Sequence, residues 1–312
     1  MEVLKIMVMS SIFEQQYKTL LNETLKQGEL CENRTGVKTY KQFNKCLNID
    51  LKEGFPILTG KKLFFKKALA EFKWIYEGRT DLDFLHKHNI FWWDDFAKNN
   101  SLGKVYGYQI RRFNGLFNQI DYVVNEIKNN SRRALITLWN PTDLKEQVLP
   151  CCYTQFNFVR VNDKLNMTMH FRSSDLFLGL PYDIIVGALF LKTIADECNL
   201  TPSILGLNLA DAHIYESHTS QVIEYNKENI YKLPTLQGKY ENYSLLNYNH
   251  NKFIKAELIN NMYYIYHIDG VKVGCTKNPA NLLIVLLVLP KIDAPPSDPS
   301  ALKNVSDLGK IA

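Results

Sequence analysis

The stretch LNMTMHFRSSDLFLGLPYDIIVGALFL (residues 165–191) contains two hydrophobic patterns that are separated by a polar motif. In its first seven residues every second side chain is apolar, which predicts a strand with one buried face. The apolar run IIVGALFL then predicts a buried helix over residues 184–199. Asp183 precedes this run directly, and burying an ionised carboxylate is costly unless the group is paired or protonated. The sequence therefore raises the question of what Asp183 contacts.

The neighbouring segments add further strands and helices. CYTQFNFVRV (152–161) and a polar turn at residues 162–164 precede the stretch, which predicts a β-hairpin. Two more segments, ALITLWN (134–140) and LNLADAHIYESH (207–218), contain strand patterns. Helical spacing is found over residues 12–27, 64–77, 118–129 and 216–226. The mixture predicts an α+β domain built around a sizeable sheet.

Composition is that of an ordinary globular protein, with 46% hydrophobic and 22% charged residues in a chain of 312. The net charge of +5 comes from 37 basic and 32 acidic residues. This excess is too small to indicate a nucleic-acid-binding protein, so direct nucleic-acid binding is not expected.

The cysteines and the apolar runs indicate a cytoplasmic protein. The six cysteines lack the paired spacing of a zinc site, and the adjacent pair Cys151 and Cys152 is a poor disulfide pattern. The apolar run at residues 282–290 is shorter than the roughly 20 residues that a membrane span needs. The first residues lack a basic region and a small-residue cleavage site, so a signal peptide is not expected.

Several polar residues have contexts that suit ligand binding. Four arginines at loops or strand ends could bind a phosphate or could be surface groups in weak salt bridges: Arg34, Arg132, Arg133 and Arg172. Cys152 could be a thiolate stabilised by an arginine or a small buried apolar residue. Asp211, His213 and Tyr215 alternate along a predicted strand and so share one face.

The order and spacing of these signals resemble those of one family. From about residue 28 to about residue 257, the chain resembles thymidylate synthase and the related pyrimidine-nucleotide methylases and hydroxymethylases. The matching stretches are ENRTG (32–36), GFPILTGKK (54–62), EFKWIYEGRTDLDFLHKHN (71–89), WWDDF (92–96), LGKVYG (102–107), SRRALITLWN (131–140), LPCCYTQFNFV (149–159), RSSDLFLGLPYDI (172–184) and DAHIYESH (211–218). The resemblance implies a large mixed sheet flanked by helices, with one sheet face forming a homodimer interface.

The resemblance also implies roles for individual residues. Cys152 would be the nucleophile, Glu71 would organise proton transfers, and Tyr106 would assist removal of the C5 proton. The nucleotide would be bound by Arg34, Arg172, Ser173, Ser174, Asp175, Asp183, His213 and Tyr215, with Arg132 and Arg133 reaching its phosphate from the other subunit. The folate would lie against Trp93, Asp175 and Gly179. No metal is implied, and the partners are a pyrimidine deoxynucleoside monophosphate and 5,10-methylenetetrahydrofolate.

The chemistry of the family explains why these groups are needed. A pyrimidine C5 is a poor nucleophile until a thiolate adds at C6 and moves electron density onto C5. The activated C5 then attacks the methylene of the folate. After loss of the C5 proton and of tetrahydrofolate, an exocyclic methylene remains. It becomes a methyl group if it takes a hydride and a hydroxymethyl group if it takes water.

Departures from the synthase pattern bear on the substrate. Asp183 stands where thymidylate synthases have asparagine, and a neutral aspartic acid can donate to cytosine N3 while its carbonyl accepts from the N4 amino group. Aspartate is found here in the deoxycytidylate hydroxymethylases of the family. Cys151 replaces a proline, Tyr153 a histidine and Ala210 a glycine; the last two positions also vary in the phage hydroxymethylases. The answer implied by the resemblance is that Asp183 contacts a cytosine.

Three functions therefore remain open. The first is a deoxycytidylate 5-hydroxymethyltransferase of phage type, which would act in the host cytoplasm if the gene belongs to a phage. The second is a dCMP or dUMP methylase that uses the folate hydride. The third is a non-catalytic nucleic-acid-binding relative, against which stands the complete set of catalytic residues.

The chain is expected to divide into a catalytic domain, residues 1–257, and a divergent C-terminal extension, residues 258–312. The segment NNMYYIYHIDGVKVGCTKNP (260–279) resembles the opening strands of a GIY-YIG nuclease, but too few residues follow to complete that module. The final residues, 291–312, are predicted to be loose. No activity is assigned to the extension.

Overall fold

A computed structural model describes residues 11–259, 263–266 and 272–276 of the protein. The helices in these ranges are α1 (Ile12–Gln27), α2 (Phe65–Tyr76), α3 (Leu82–Lys87), α4 (Tyr106–Arg112), α5 (Gln119–Lys128), α6 (Gly179–Glu197) and α7 (Thr219–Lys227). The strands are β1 (Glu29–Cys31), β2 (Thr39–Asp50), β3 (Leu135–Thr137), β4 (Tyr153–Val161), β5 (Lys164–Phe171), β6 (Ser174–Asp175), β7 (Thr201–Tyr215), β8 (Thr235–Gln237), β9 (Ser244–Leu246), β10 (Tyr263–Tyr266) and β11 (Lys272–Thr276). None of the helices in the described ranges has the length and apolar character of a membrane span.

Seven strands form one large sheet in the order β1-β2-β7-β5-β4-β3, with β6 paired to β7. The pairs β5–β7 and β6–β7 are parallel, whereas the other neighbours are antiparallel. Helices α1, α5 and α6 pack against strands of this sheet. The predicted α+β class with a large mixed sheet flanked by helices is therefore confirmed.

The hairpin that the sequence predicts is formed by β4 and β5. Its turn contains Asn162, whose φ of 57° lies in the left-handed region that asparagine tolerates better than most residues. Along β5 every second residue is buried, beginning with Leu165 and ending with Phe171. The buried face of β5 therefore supplies part of the sheet's core, as the alternation predicted.

Helix α6 begins at Gly179, earlier than the predicted start at residue 184. Pro181 lies in its first turn, where a missing N–H costs no hydrogen bond. The helix packs closely on the sheet, because a side chain at Gly187 would overlap the sulfur of Met169. The polar residues before the apolar run therefore belong to the helix, and Asp183 projects from its beginning rather than from a preceding loop.

Helix α1 is joined to the rest of the fold through a buried carboxylate. Glu14 accepts hydrogen bonds from the backbone N–H groups of Thr59 and Gly60 and from the hydroxyls of Thr59 and Tyr225. A Cβ at Gly60 would lie 2.7 Å from the ring of Tyr225, so glycine is needed at this close approach. We refer to Glu14, Thr59, Gly60 and Tyr225 as the Glu14 cluster.

The chain divides into two units, Met1–Asn260 and Asn261–Ala312. In the second unit β10 and β11 pair in antiparallel fashion, with Tyr264 opposite Cys275. The first ten residues, the apolar run at 282–290 and the tail at 291–312 lie outside the described residues, and so do the predictions made for them.

Candidate active site

A cavity of about 440 Å³ opens in the first unit between the sheet, α2, α6 and the segments that join them. It is lined by Arg34, Glu71, Ile75, Trp92, Trp93, Phe96, Tyr106, Leu149, Cys152, Tyr153, Arg172, Ser173, Asp175, Leu178, Gly179, Tyr182, Asp183, Val186, His213, Tyr215, Ala256, Leu258 and Ile259. These residues come from distant parts of the sequence, and the sheet and α6 bring them together. Cavities of this size with an apolar wall and a few polar groups are typical of small-molecule sites.

The pairing of β4 with β5 places Cys152 beside Arg172. Tyr153 is opposite Phe171, and the N–H of Arg172 donates to the carbonyl of Cys152 at 3.0 Å. The guanidinium also donates to the carbonyls of Pro150 and Cys151, while its Nη2 lies 3.8 Å from the Cys152 sulfur. Arg172 therefore fixes the loop that carries the thiol and lies within reach of the thiolate.

The two adjacent thiols have different surroundings. Cys152 lines the cavity, whereas Cys151 is fully buried in the core. Burial raises the pKa of Cys151 to about 12. Burial also raises the pKa of Cys152, against the opposing effect of the nearby Arg172. Both thiols are therefore protonated at neutral pH, and only Cys152 faces a space in which a ligand could be attacked.

Glu71 on α2 is held by two indole groups. Its Oε1 accepts from Nε1 of Trp93 at 2.7 Å and from Nε1 of Trp92 at 3.1 Å. Burial raises the pKa of Glu71, and the two indole hydrogen bonds oppose this rise. Because Glu71 lines the cavity, it can exchange protons with a ligand or a water there.

Asp183 lies one helical turn after Gly179 and also lines the cavity. Among the described residues, none forms a hydrogen bond with its carboxyl group. Its pKa is raised well above the ordinary value, first by burial and then by the nearby Glu71 and Asp175. These surroundings favour the neutral acid, which can both donate and accept a hydrogen bond.

Two buried tyrosines lie near Asp183, and one of them, Tyr153, also lies near Glu71. The rings of Tyr106 and Tyr153 are 4.6 Å apart, and the hydroxyl of Tyr106 accepts from the N–H of Cys152 at 2.9 Å. Tyr153 also stacks on Phe156, with ring centroids 5.5 Å apart. Burial raises the pKa of both phenols well above the ordinary value, so they remain neutral.

The end of β7 supplies the polar groups His213 and Tyr215. Nδ1 of His213 lies 3.0 Å from a carboxylate oxygen of Asp211, whose other oxygen pairs with Lys41 at 3.1 Å. Burial opposes ionisation of Asp211, but its hydrogen bonds with His213 and Lys41 hold its pKa below the ordinary value. Since a carboxylate only accepts, Nδ1 of His213 is the donor and Nε2 is left for a ligand.

Next to this strand, β6 aligns Asp175 with His213. Oδ1 of Asp175 accepts from the N–H groups of Phe177 and Leu178, which fixes the segment that leads into α6. Beside it, a Cβ at Gly179 would lie 3.7 Å from Asp175 and 4.0 Å from Asp183. The three positions are therefore neighbours on one wall.

Most of the residues that the sequence analysis proposed lie together at this cavity. Those that line it are Arg34, Glu71, Trp93, Tyr106, Cys152, Arg172, Ser173, Asp175, Gly179, Asp183, His213 and Tyr215. Ser174 does not line it: the residue is buried, and its hydroxyl has no partner among the described residues. Arg132 and Arg133 are exposed between α5 and β3 and do not line it either.

Sequence reasoning missed several lining residues. The sequence motifs assign no role to Trp92, which precedes Trp93 directly, or to Tyr182, which precedes Asp183, yet both line the cavity. Tyr153 was noticed only as a substitution. Adjacency to a proposed residue was the available signal, but adjacent side chains usually point in different directions, so adjacency alone does not predict a shared cavity.

The wall of the cavity has an apolar part and a polar part. Six side chains give the cavity an apolar wall that suits a flat ring system and a benzoyl group: Trp92, Trp93, Phe96, Leu149, Leu178 and Val186. Arginines and hydroxyl groups supply sites for a phosphate and a sugar. In the part of the chain that the structure describes, no group of three or more His, Cys, Asp or Glu is arranged to hold a metal ion.

The comparison with known protein families agrees with this geometry. The family model described as thymidylate synthase matches residues 15–260, most of the chain. The chain therefore belongs to the thymidylate synthase family. Members of this family transfer a one-carbon unit from methylenetetrahydrofolate to a pyrimidine nucleotide, so this protein is a methyl- or hydroxymethyltransferase.

Proposed function

We propose that this member of the family converts dCMP to 5-hydroxymethyl-dCMP, with methylenetetrahydrofolate as the carbon donor. The observation that carries the proposal is Asp183. It is an acid that faces the cavity, has no hydrogen bond to another described residue, and lies in surroundings that favour its neutral form.

A neutral Asp183 matches cytosine and not uracil. Its O–H can donate to N3 of cytosine, and its carbonyl oxygen can accept from the N4 amino group. Uracil has the opposite pattern, with a donor at N3 and an acceptor at O4. Each group left unpaired in a buried site costs roughly 1–3 kcal/mol, so dCMP should be strongly favoured over dUMP.

The other cavity residues suit covalent catalysis at the base. Cys152 would add to C6, with Arg172 beside its sulfur to stabilise the thiolate. Tyr106, which accepts from the N–H of Cys152, would help to remove the C5 proton. Glu71 would transfer protons to and from water at the same face of the base.

The remaining polar residues would bind the nucleotide and the folate. Arg34, Arg172 and Ser173 would hold the phosphate, while Nε2 of His213 and the hydroxyl of Tyr215 would bond the sugar. Bound against Trp93, Asp175 and Gly179, methylenetetrahydrofolate would supply an electrophilic one-carbon unit. The apolar wall would keep bulk water away from the reacting carbon.

We further propose that the active form is a homodimer in which Arg132 and Arg133 reach the phosphate of the partner's site. In support, both arginines are exposed and lie outside the cavity of their own chain. A second subunit would bring them into use without any change of the fold.

A methylase is the second candidate, because Trp93 remains in the cavity wall. An indole at this place can hold tetrahydrofolate against the exocyclic methylene long enough for hydride transfer. The two reactions differ in their products. Hydride transfer yields dihydrofolate and a methyl group, whereas hydration yields tetrahydrofolate and a hydroxymethyl group.

The experiment that tests the proposal offers the protein methylenetetrahydrofolate with dCMP, dUMP or CMP and weighs the nucleotide products. We expect 5-hydroxymethyl-dCMP and no dihydrofolate absorbance. Methyl-dCMP with dihydrofolate would establish the second candidate. Preference for dUMP would show that Asp183 does not select cytosine.

The variant Asp183→Asn sharpens this test. The amide reverses both hydrogen bonds at nearly constant volume, so dCMP turnover should fall by at least about 30-fold, since two groups at about 1 kcal/mol or more are mismatched. Binding or turnover of dUMP should rise. Asp196→Asn is the matched control, because Asp196 lies on the same helix, pairs with Lys192 and does not line the cavity.

The pH dependence of dCMP turnover provides an independent check. The pKa of Asp183 is raised, so the donating neutral form predominates below that pKa and is lost as the pH rises through it. Wild-type turnover of dCMP should fall over that range. The Asp183→Asn variant should not show this loss of turnover at high pH. If both proteins lose turnover over the same pH range, the loss is due to another titratable group.

A further inference from the structure

Two successive tryptophans donate to one carboxylate oxygen in this cavity. Trp92 and Trp93 follow each other in a turn, in which the N–H of Asp94 donates to the carbonyl of Phe91 at 3.2 Å. The turn lets two adjacent side chains converge, and both indole N–H groups reach Oε1 of Glu71. No hydrogen bond from a described residue reaches its other oxygen, Oε2, which is left for a ligand or water.

Trp92 forms part of the apolar wall, but its hydrogen bond to Glu71 has no role in the functions proposed so far. Its ring lies 5.9 Å from that of Tyr182, and Nζ of Lys67 lies 5.7 Å from the ring centroid. Both contacts could be made by another aromatic side chain. The hydrogen bond to Glu71 could not, because phenylalanine has no donor and the hydroxyl of tyrosine lies elsewhere on the ring.

Glu71 and Asp183 are two neighbouring acids in one cavity, and a charge on Glu71 disfavours ionisation of Asp183. The titratable groups that face Glu71 are Tyr153 of β4 and, on α6, Tyr182 and Asp183. The titratable groups that face Asp183 are Glu71, Tyr106, Cys152, Tyr153 and Asp175. Arg34 and Arg172 line the same cavity, but no lysine or arginine among the described residues forms a salt bridge with either acid. When such a pair shares one proton, the negative charge lies on the acid whose carboxylate receives more hydrogen bonds, and the proton lies on the other.

The donors are distributed unequally between the two acids. Glu71 receives two indole N–H groups, whereas Asp183 receives no hydrogen bond from a described residue. We propose that Trp92 is a positioning residue whose indole N–H, added to that of Trp93, makes Glu71 the charged acid of the pair and thereby leaves the proton on Asp183. The inference rests on the proposed function in one respect: the proton on Asp183 is the one that cytosine requires.

The arrangement has a second consequence for catalysis. A charged Glu71, fixed through Oε1, presents Oε2 as a proton acceptor at the cavity. The same hydrogen bonds therefore prepare a base at Glu71 and an acid at Asp183. A single tryptophan would give Glu71 only one donor and would leave the position of the proton less strongly determined.

The test is a titration of carboxyl ¹³C signals in protein labelled at its glutamate and aspartate side chains, without nucleotide. Glu71→Gln and Asp183→Asn spectra assign the two signals. In Trp92→Phe, Glu71 loses a donor to its charged form, so its midpoint should rise by about one pH unit. The midpoint of Asp183 should fall, because a neutral Glu71 no longer opposes its ionisation.

Phe96→Leu is the matched control. It removes another aromatic ring of the same cavity wall but no hydrogen bond to Glu71, so both midpoints should stay within about 0.3 pH units of wild type. Trp92→Leu is a second donor-free variant, to be used if Trp92→Phe does not fold. Unchanged midpoints in a folded Trp92 variant, or a shift equal to that of Phe96→Leu, would overturn the proposal.

The pH profile of dCMP turnover gives a second readout. In Trp92→Phe the pH range of activity should become narrower at both ends. The acidic midpoint should rise because Glu71 ionises at a higher pH, and the alkaline midpoint should fall because Asp183 ionises at a lower pH. A purely structural role for Trp92 would lower the rate without moving the midpoints. If the wild type prefers dUMP, the proposed function fails, but the nucleotide-free titration still decides the role of Trp92.

Discussion

The protein keeps two carboxyl groups out of bulk water in opposite ways. In the Glu14 cluster, both oxygens of Glu14 accept hydrogen bonds, and every donor comes from the same chain. In the cavity, Asp183 has no such partner among the described residues, and its pKa is raised well above the ordinary value, chiefly by burial. Each acid lies on a helix near its beginning, so helix position does not explain the difference.

This difference in hydrogen bonding indicates that Glu14 serves the stability of the fold and that Asp183 serves the binding of a ligand. Glu14 is complete within the chain and ties α1 to the segment around Thr59 and to α7. Asp183 has no hydrogen-bond partner among the described residues, so its hydrogen-bonding capacity remains for a ligand. The adjacent cysteines follow the same division, since Cys151 is packed in the core while Cys152 faces the cavity. A change to Glu14, whose hydrogen bonds come from its own chain, should therefore affect stability. A change to Asp183 should affect activity.

The largest expected effect is at Cys152. Cys152→Ser removes the nucleophile and should abolish product formation while leaving nucleotide binding and the thermal midpoint nearly unchanged. Cys151→Ser places a hydroxyl in the core, so it should retain turnover and lose roughly 1–3 kcal/mol of stability. Product assays and thermal unfolding of both variants provide the measurements. Equal loss of turnover in the two would show that the division between the thiols is wrong.

The next largest effect is expected from mixing two variants of the proposed dimer, in which each active site would use Arg34 of one subunit and Arg133 of the other. In a dimer that shares its sites, Arg34→Ala and Arg133→Ala each impair both sites. A mixed dimer contains one intact site, so random exchange between the two inactive proteins should restore up to about a quarter of wild-type activity. Subunit exchange is verified with a tagged protein, and each variant mixed with itself is the control. Without recovery after exchange, Arg133 does not act across an interface.

The smallest effect on activity is expected at Glu14. Glu14→Gln turns an amide N–H₂ toward donors of the Glu14 cluster, and each unsatisfied buried group costs roughly 1–3 kcal/mol. The free energy of unfolding should fall by that amount or more, while the folded fraction keeps its turnover. Glu23→Gln, which removes only a surface salt bridge to Lys45, should cost about 1 kcal/mol or less. Loss of turnover in folded Glu14→Gln would contradict the comparison.

Much of the fold could be predicted because its signals are local. The alternation along β5 and the turn at Asn162 specify the hairpin within twenty residues of chain. Helices α1, α2 and α5 were predicted to within a residue or so, because each has an apolar stripe of helical period. The start of α6 was misplaced because GLPYD has no such stripe and contains a proline. Only packing on the sheet makes these residues helical.

Among the site residues, those in contiguous motifs could be proposed from the sequence. Cys152, Arg172 and His213 each lie in a matching stretch, and all three line the cavity. Ser174 lies in such a stretch as well, yet its side chain is directed away from the cavity, because neighbouring residues of a strand face opposite sides.

The family, the α+β architecture and the departure at position 183 could all be derived from the order of the residues. Three further facts depend on the packed fold: Asp183 lacks a hydrogen-bond partner among the described residues, Glu71 has two, and the two acids are neighbours. Glu71, Trp92 and Asp183 belong to three separate elements, and no periodicity in the chain relates them. Their meeting depends on how α2, the turn after α3 and α6 pack together, which is a property of the assembled core.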